Sequence, residues 1–311
     1  MDYKKTVVIL NPSSGNGETG REWPNIYAKA QTYLGSFESL MTTKPGEATM
    51  LTRQSLQNGA DRIICIGGDG TLNEVINGFV NDEHPINKDA VLGFVPNGTG
   101  CDFVRTVPIP RGIDNSLDMI VNGVARTIDL GRVEYLDKYD NTSVRYFHNI
   151  ASFGLGGEVV DRVNRTSKAL GPFICFLWST LISLFLFGKK KIRYKIDDGE
   201  EQQATCWNIA VANGQYHGGG MQVAPDALVN DGLFHITVIG DINLIQVFWH
   251  LPKLYTGKIN TIKQVTITTG KSVSAWSDQR VLIDMDGEQP GYLPAKIDIV
   301  PAALKMIMGR D

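Results

Sequence analysis

Residues 62–79 read RIICIGGDGTLNEVINGF, an apolar run followed by a glycine-rich turn and then by apolar residues at helical spacing. The run at 62–66 is short and rich in isoleucine, which predicts a buried strand. Over residues 71–79 the apolar positions recur every three or four residues, which predicts an amphipathic helix. The stretch therefore predicts a strand, a tight glycine turn and a helix, the unit from which parallel α/β sheets are built.

The same unit recurs through the first third of the chain. Residues 6–10, 37–42 and 91–95 are further predicted strands, each followed by turn residues, and residues 48–57 have helical spacing. Strands that alternate with helices predict a doubly wound parallel sheet. We expect this α/β domain to span residues 1–127.

The pattern changes near residue 126, where strands follow one another without intervening helices. Helical patterns interrupt them only at residues 173–187 and 243–255. The fold class expected is α/β plus β: a doubly wound N-terminal domain, a mostly antiparallel β-sandwich at 128–300, and the active site in the cleft between them. The tail at 301–311 is expected to pack back on the first domain. The predicted strands of the second domain are 126–134, 146–153, 204–212, 233–239, 265–269 and 280–284.

Charge and cysteine content narrow the function classes. The net charge is -3 and no basic stripe with interleaved aromatic residues is present, so nucleic acid is not an expected partner. The four cysteines are far apart, which favours a reducing compartment over a disulfide framework or a paired metal motif. No secretory signal is apparent at the N-terminus, and we expect a cytoplasmic protein.

Three turns follow predicted parallel strands and have phosphate-binding character. Residues 11–17 are small and polar; they are either a phosphate cradle before a helix N-terminus or an ordinary strand-to-helix turn. Residues 67–71 place Asp69 among three glycines, and a carboxylate at a phosphate site requires a metal ion or a hydrogen bond. Residues 96–100 form a third such turn, and the three together favour a nucleotide site.

Two acidic turns occur in the second half of the chain. Asp284, Asp286 and Glu288 surround Gly287, so they are either clustered catalytic carboxylates or a solvated acidic hairpin. Residues 225–233 are either a second hairpin turn or a cation loop in which an aspartate and carbonyl oxygens bind a hard metal ion. The histidines, His148 and His217 among them, have no metal-ligand spacing and are not expected to be catalytic.

Residues spread over nearly the whole chain resemble the catalytic domain of diacylglycerol kinases, with sphingosine kinases sharing the pattern and NAD kinases its glycine-aspartate core. The residues that carry the resemblance are Asn11-Pro12, Ser14-Gly15, the stretch 67–78, Gly98-Thr99, Asp102-Phe103, Asn149, Ser152, Gly154, Asp231-Gly232 and Asp286-Gly287-Glu288. Cys101 departs from the family, which usually has an asparagine there.

The resemblance implies a soluble bacterial lipid kinase that uses ATP and Mg2+ and phosphorylates a lipid hydroxyl, most simply that of diacylglycerol. It implies Glu288 as the general base with Asp286 as the second candidate, and a magnesium loop formed by Leu228, Asp231 and Leu233. The implied ATP-binding residues are Asn11, Pro12, Ser13, Ser14, Gly15, Thr42, Gly67, Gly68, Asp69, Gly70, Thr71, Leu72, Asn73 and Thr99.

A lipid substrate implies transient contact with a membrane surface. The apolar run at 172–187, followed by Lys189, Lys190, Lys191 and Arg193, fits either docking to an anionic membrane or a buried core helix with a charged end. The run is too short to span a bilayer, which takes roughly 20 residues. A homodimer is also an expectation. The alternatives are an NAD kinase-like enzyme and a lipid-binding protein of this fold without catalysis.

Overall fold

The computed structural model describes residues 3–81, 84–98, 100–165 and 188–310. The chain forms two compact units, one of Met1–Asp129 with Val300–Asp311 and one of Leu130–Ile299. Thr99 and the apolar run at 172–187 lie outside the described residues.

The first unit is built on a parallel sheet. The strands of this sheet are β1 (Thr6–Leu10), β2 (Glu38–Met41), β3 (Arg62–Gly67) and β6 (Val91–Pro96). The two-residue strands β4 (Val80–Asn81) and β5 (His84–Pro85) form a separate antiparallel pair. The parallel strands stand in the order β2–β1–β3–β6. Strands β1, β3 and β6 are buried along their whole length, as expected of a sheet that is covered on both faces.

Helices of the first unit pack in pairs, α3 on α4 and α2 on α5. The helices are α1 (Glu18–Arg21), α2 (Trp23–Leu34), α3 (Glu47–Gln57), α4 (Asp69–Phe79) and α5 (Ile113–Asn122), with a 3-10 turn at Phe103–Arg105. This arrangement confirms the predicted α/β class. The predicted start of α4 at Thr71 was wrong, because Asp69 and Gly70 already belong to its first turn.

The second unit is mostly antiparallel. Its elements are β7 (Val124–Asp137), β8 (Thr142–Phe147), β9 (Ile150–Gly154), α6 (Leu155–Arg165), β10 (Lys190–Ile196), β11 (Gln202–Cys206), β12 (Asn208–Ala212), β13 (Tyr216–His217), β14 (Met221–Gln222), β15 (Phe234–Ile239), α7 (Leu244–Tyr255), β16 (Val265–Gly270), β17 (Ser272–Trp276), β18 (Leu282–Met285) and β19 (Glu288–Met308), with a 3-10 turn at Ile259–Thr261. The unit boundaries fall within β7 and β19, and the end of β19 pairs in parallel with β6 of the first unit's sheet through Lys305 and Val91.

Antiparallel pairs run in the order β16–β15–β12–β9–β18–β19, and β11–β10–β17 joins β19 further along that strand. Inward side chains of these strands, such as Phe153, Phe234 and Ile297, form one buried core. The predicted sandwich class is thus confirmed. The single strand predicted at 146–153 was wrong: it breaks at His148 and Asn149, whose amides donate to the Asp286 carboxylate instead of to a neighbouring strand.

A second apolar layer covers the outer face of β9, β12 and β15. It contains Ile150, Trp207 and Ile262, against which Leu155 of α6 and Val247 of α7 pack. Helix α7 begins with a capping box, in which the Asn243 side chain accepts from the amide of Gln246. Among the described residues, every helix is too short or too polar to cross a bilayer.

Candidate functional site

The three glycine-rich turns of the first unit are joined by side-chain hydrogen bonds. Asn11, directly after β1, donates through Nδ2 to the hydroxyl of Thr71 in α4 at 3.0 Å. Asn97, directly after β6, donates through Nδ2 to the hydroxyl of Thr19 at 2.9 Å. The carboxyl ends of β1, β3 and β6 therefore share one polar edge, the position where open α/β sheets bind ligands.

Glycine is required where the second and third turns touch. A Cβ atom on Gly98 would lie 2.5 Å from the Cα of Gly68, and one on Gly67 would lie 2.7 Å from the Cβ of Thr71. A side chain at Gly98 would collide with the backbone of the second turn, and one at Gly67 would collide with the Thr71 side chain. The two turns thus approach as bare backbone, which exposes amide groups in the manner of phosphate-binding loops.

Asp69 occupies the first turn of α4. Its Oδ2 accepts a hydrogen bond from the amide of Asp102 at 3.2 Å, so the carboxylate connects the second turn to the segment after the third. The N-terminus of a helix attracts anions, whereas a carboxylate there repels phosphate unless a cation lies between them. This arrangement suits a phosphate group that arrives with a divalent cation.

The remaining residues predicted to bind ATP differ in their exposure. Pro12, Ser13, Ser14 and Gly15 form the first turn, and the Thr42 amide donates to Leu10 beside it at 2.9 Å. Leu72 and Asn73 are fully buried, and the Leu72 amide donates to the carbonyl of Gly68. The side chains of these last two residues therefore pack in the unit's core. Contact of any of these residues with ATP stays a prediction.

Cys101 has a left-handed backbone, with φ of 47°. Its side chain is buried, and its Sγ lies 3.5 Å from the carbonyl oxygen of Gly98 as a donor. Burial, followed by the charge of Asp69, raises the pKa of the Cys101 thiol to about 12. The thiol therefore stays protonated near neutral pH and acts as a weak donor in the third turn.

The acidic hairpin of the second unit turns at Asp286 and Gly287, which have φ of 50° and 86°. The Asp286 carboxylate faces inward and accepts from the amides of His148, Asn149 and Ile150 at 3.0, 3.1 and 3.0 Å. Its Oδ2 lies 2.7 Å from Nδ1 of His148, and both side chains are fully buried. Asp286 therefore fixes the turn between β8 and β9.

Glu288 begins β19 and differs from Asp286 in its surroundings. Its side chain is 35% exposed and forms an ion pair with the guanidinium of Arg145 on β8. A partly exposed carboxylate held by one partner is accessible to a substrate, whereas one saturated by backbone amides is not. The geometry thus separates the two predicted catalytic carboxylates, with Glu288 the better placed to accept a proton.

Asp284, on the strand before the turn, is fully buried. Its Oδ1 accepts the Gly287 amide at 3.0 Å, and its Oδ2 lies 3.4 Å from the Ser152 hydroxyl and 3.2 Å from Nε2 of His217. Burial raises the pKa of the Asp284 carboxyl to about 6, against the lowering effect of His217. The chain thus contains a buried carboxylate–histidine pair.

The predicted metal loop is an exposed turn. Asp231 and Leu228 are exposed, and Oδ1 of Asp231 accepts the amide of Leu233 at 3.0 Å. Within the described ranges no cluster of three or more His, Cys, Asp or Glu residues could hold a metal ion. One carboxylate oxygen and the backbone carbonyls remain as ligands, a set that suits a hard cation. Magnesium at this turn stays a prediction.

A large apolar pocket lies in the second unit between the outer face of its sheet and helices α6 and α7. Its lining includes Val159 of α6, Trp207 beside β12, and Val247, Leu251 and Leu254 of α7. The lining is predominantly apolar with a few polar side chains, which is the composition of pockets that bind small apolar or amphiphilic ligands. His217 contributes one of its few polar side chains.

Sequence reasoning missed the pocket, Arg145, and the pairing of His148 and His217 with buried carboxylates. The pocket residues come from segments far apart in the chain, and their sequence spacing shows only that they are apolar. His148 lies 138 residues from Asp286, so no local motif relates them. An even spacing of carboxylates at 284, 286 and 288 was the one signal available.

Comparison with known proteins places each part of the chain. Residues 5–133 match the family model of the diacylglycerol kinase catalytic domain, and residues 149–308 match that of the YegS C-terminal NAD kinase beta sandwich-like domain. A diacylglycerol kinase of Staphylococcus saprophyticus is 30% identical over 293 residues, covering 94% of this chain and 91% of the relative.

Solved structures agree in fold. A diacylglycerol kinase from Bacillus anthracis str. Sterne superposes with a TM-score of 0.72 at 20% identity, covering 99% of this chain and 98% of that one. Yeast NADH kinase in complex with NADH gives a TM-score of 0.57 at 12% identity, covering 100% of this chain and 85% of that one. These two structures show the fold. The 30% identical relative, which is matched over 91% of its length, and the two family models establish that the chain belongs to the diacylglycerol kinase catalytic-domain family and is a kinase.

Proposed function

We propose that this kinase transfers the γ-phosphate of ATP to the free hydroxyl of diacylglycerol, which yields phosphatidic acid and ADP. Membership of a kinase family implies ATP as the donor. The observation that carries the proposal of a lipid acceptor is the apolar pocket between the sheet and helices α6 and α7. A soluble acceptor such as a dinucleotide would require a polar lining, whereas a hydrocarbon chain gains free energy from burial in this one.

The turns of the first unit would hold the phosphates of ATP. Backbone amides at the Gly67–Gly68 and Gly98 turns and the N-terminus of α4 supply donors and positive potential. Asp69 fits a divalent cation there, because its carboxylate would otherwise repel the phosphates. Magnesium, when bound, would neutralise charge on the phosphate oxygens.

Glu288 would take the proton of the lipid hydroxyl as that oxygen bonds to the γ-phosphorus and the bond to the ADP oxygen breaks. Its partial exposure leaves the carboxylate accessible, and the ion pair with Arg145 fixes its position. Asp286 would act through structure, since its oxygens accept three backbone amides. These assignments deepen the expectation that one of the two carboxylates is the base.

Peripheral membrane contact follows from the same lipid acceptor. On α7, Ile245 is 72% and Trp249 is 79% exposed, while Val247 and Leu251 of the same helix line the pocket. Exposed tryptophan and isoleucine beside the wall of a lipid pocket suit insertion into the headgroup region. The basic cluster after residue 188 is less available, because Lys189 pairs with Asp241 and Arg193 with Asp278.

The test is transfer of radiolabel from ATP, with magnesium, to mixed micelles that contain diacylglycerol, sphingosine, phosphatidylglycerol or undecaprenol, with NAD as a soluble acceptor. Label in diacylglycerol that disappears in Glu288→Gln supports the proposal. Label in NAD alone would assign the chain to the NAD kinase-like alternative. Binding of lipid without label in any acceptor would favour a lipid-binding protein of the same fold.

A further inference from the structure

Asp284 is a buried carboxylate, and its role in closing the turn does not by itself explain why the residue is charged. A fully buried carboxylate loses its hydration and costs free energy unless specific partners replace the water. Closing the turn requires only one acceptor for the Gly287 amide, which Oδ1 provides. A neutral asparagine would offer the same acceptor at a lower desolvation cost. The second oxygen therefore accounts for the carboxylate.

That second oxygen faces His217. Oδ2 of Asp284 lies 3.2 Å from Nε2 of His217, and the Ser152 hydroxyl lies directly across the strand pair. The carboxylate holds the ring by its Nε2 edge, which leaves Nδ1 as the ring atom that can meet a ligand. Within the described ranges no residue contacts Nδ1 as a hydrogen-bond partner.

His217 is also part of the pocket wall. Its side chain is 15% exposed, and it lies among apolar residues such as Met221 and Val223. The other polar side chains of the wall have different partners. Asn208 accepts a hydrogen bond from the amide of Gly156 at 3.2 Å. His250 lies on α7, and among the described residues no carboxylate pairs with it. His217 is thus the lining histidine that is oriented by a buried acid.

Gly156 keeps this end of the pocket open. A Cβ atom there would lie 2.4 Å from the Ser152 hydroxyl oxygen and 3.6 Å from Oδ2 of Asp284. Any larger residue would therefore fill the space beside the Asp284–His217 pair. The pocket combines a mostly apolar lining with a few polar side chains, His217 among them, which suits an amphiphile with a polar group on a hydrocarbon chain.

We propose that Nδ1 of His217, oriented by Asp284, hydrogen-bonds a hydroxyl group of the lipid whose hydrocarbon chain occupies the pocket. The inference rests on the proposed lipid-alcohol substrate and names what selects it. The Asp284 carboxylate accepts from Nε2, which places the ring proton there and makes Nδ1 an acceptor, so a hydroxyl can donate to Nδ1 whereas an ether cannot. His217 is a specificity-determining contact, and Asp284 is a positioning residue.

The experiment compares two isomeric amphiphiles, n-nonanol and n-octyl methyl ether, of which only the alcohol carries a hydroxyl donor. Dissociation constants are measured by isothermal titration calorimetry on the full chain without nucleotide. One hydrogen bond predicts that the wild-type protein binds the alcohol about three- to tenfold more tightly than the ether. His217→Phe should bring that ratio to about one while the ether still binds.

Further variants test whether the preference for the alcohol comes from the Asp284–His217 pair. His250→Phe alters the other lining histidine and should leave the ratio unchanged, whereas Leu251→Trp fills the pocket and should abolish binding of both probes. Asp284→Asn should lower the ratio, because it keeps the acceptor for Gly287 and removes the charge that orients the ring. A purely structural role of Asp284 would change both affinities equally and leave their ratio intact.

An alcohol-to-ether ratio that His217→Phe leaves unchanged would overturn the proposal, as would unaltered binding in Leu251→Trp. If His217→Phe loses the ether as well, the ratio in Asp284→Asn decides, and an unchanged ratio there overturns it. Phosphorylation of diacylglycerol is assayed in the same proteins. An unselective pocket in a protein that still phosphorylates diacylglycerol rejects the contact alone, whereas a selective pocket without phosphorylation of any lipid rejects the proposed function.

Discussion

The carboxylate of Asp286 lies 2.7 Å from Nδ1 of His148, with both side chains fully buried. The same carboxylate accepts three successive backbone amides, from His148 to Ile150. It therefore ties the β18–β19 turn to the break between β8 and β9. Asp286, the second candidate for the base in the sequence, thus acts as a structural anchor in the fold, and the role of Glu288, the first candidate, stays a prediction.

Replacement of Asp286 should destabilise the fold. Asp286→Ala leaves three buried amide donors unsatisfied, so we expect the free energy of unfolding to fall by about 3 kcal/mol or more. Urea titration followed by circular dichroism measures it. Asp278→Ala, which removes an exposed partner of Arg193, is the control and should change stability by less than about 1 kcal/mol. Wild-type stability in Asp286→Ala would contradict the anchoring role.

Glu288→Gln should impair catalysis and spare the fold. Loss of a general base lowers kcat by roughly 10²–10⁴-fold, while the urea midpoint and the KM for ATP should change little. Steady-state transfer to diacylglycerol in mixed micelles measures both constants. Arg145→Met should cause a smaller loss of kcat, since it removes the cation that positions Glu288 and leaves the carboxylate itself in place. An unaltered kcat in Glu288→Gln would exclude Glu288 as the base.

Gly98→Ala should disturb the nucleotide turns. Its Cβ would lie 2.5 Å from the Cα of Gly68, so the two turns must separate. Overpacking of this kind costs typically about 1–3 kcal/mol, and we expect ATP affinity, measured by calorimetry, to fall with it. Gly188→Ala is the matched control because an added Cβ there meets nothing. Equal affinity in both variants would show that the turns do not bind the phosphates.

Asp284 should give the stability a pH dependence of defined sign. Its pKa is raised by burial from the ordinary value of 3.8 to about 6 in the folded protein, so the folded state binds an extra proton between these two pH values. Stability from this group is therefore present below about pH 4 and is lost as the pH rises through about 6. Because asparagine does not titrate, the free energy of unfolding of Asp284→Asn should rise relative to that of the wild type by on the order of 2–3 kcal/mol between pH 4 and pH 7. Urea titrations at several pH values measure the difference; one that is flat with pH would refute the shift.

Trp249→Ala should weaken attachment to membranes. With 79% of its surface exposed on the helix that walls the pocket, Trp249 contributes apolar area to a bilayer and little to the fold. Sedimentation with vesicles of phosphatidylglycerol and diacylglycerol should show reduced binding. Tyr139→Ala, at a residue that is 71% exposed on the β7–β8 turn, is the aromatic control. Equal losses in both variants would argue against docking through α7.

Much of the fold was predictable because it rests on local patterns. The strand at Thr6–Leu10 appears with its predicted bounds, and the strands Arg62–Gly67 and Val91–Pro96 extend one residue beyond theirs. An apolar run bounded by glycine and proline contains that information within itself. The break in the strand at His148 could not be predicted from the local sequence, because it depends on the Asp286 carboxylate, which is distant in the chain.

The candidate site divides in the same way. The three turns were predictable from their glycines, and their meeting follows from parallel strands that end at one edge. The acidic hairpin was predictable as a turn, but the three directions of its carboxylates were not. Asp284 meets His217, Asp286 meets His148 and Glu288 meets Arg145, and only tertiary structure determines such partners.

The left-handed backbone at Cys101 has a consequence for protein engineering. Ordinary side chains lose roughly 1–2 kcal/mol in that conformation, whereas asparagine tolerates it through local hydrogen bonds. The family's usual asparagine would thus suit the geometry that this chain already has. Cys101→Asn is accordingly a route to a more thermostable form of the enzyme, obtained at a position whose backbone need not move.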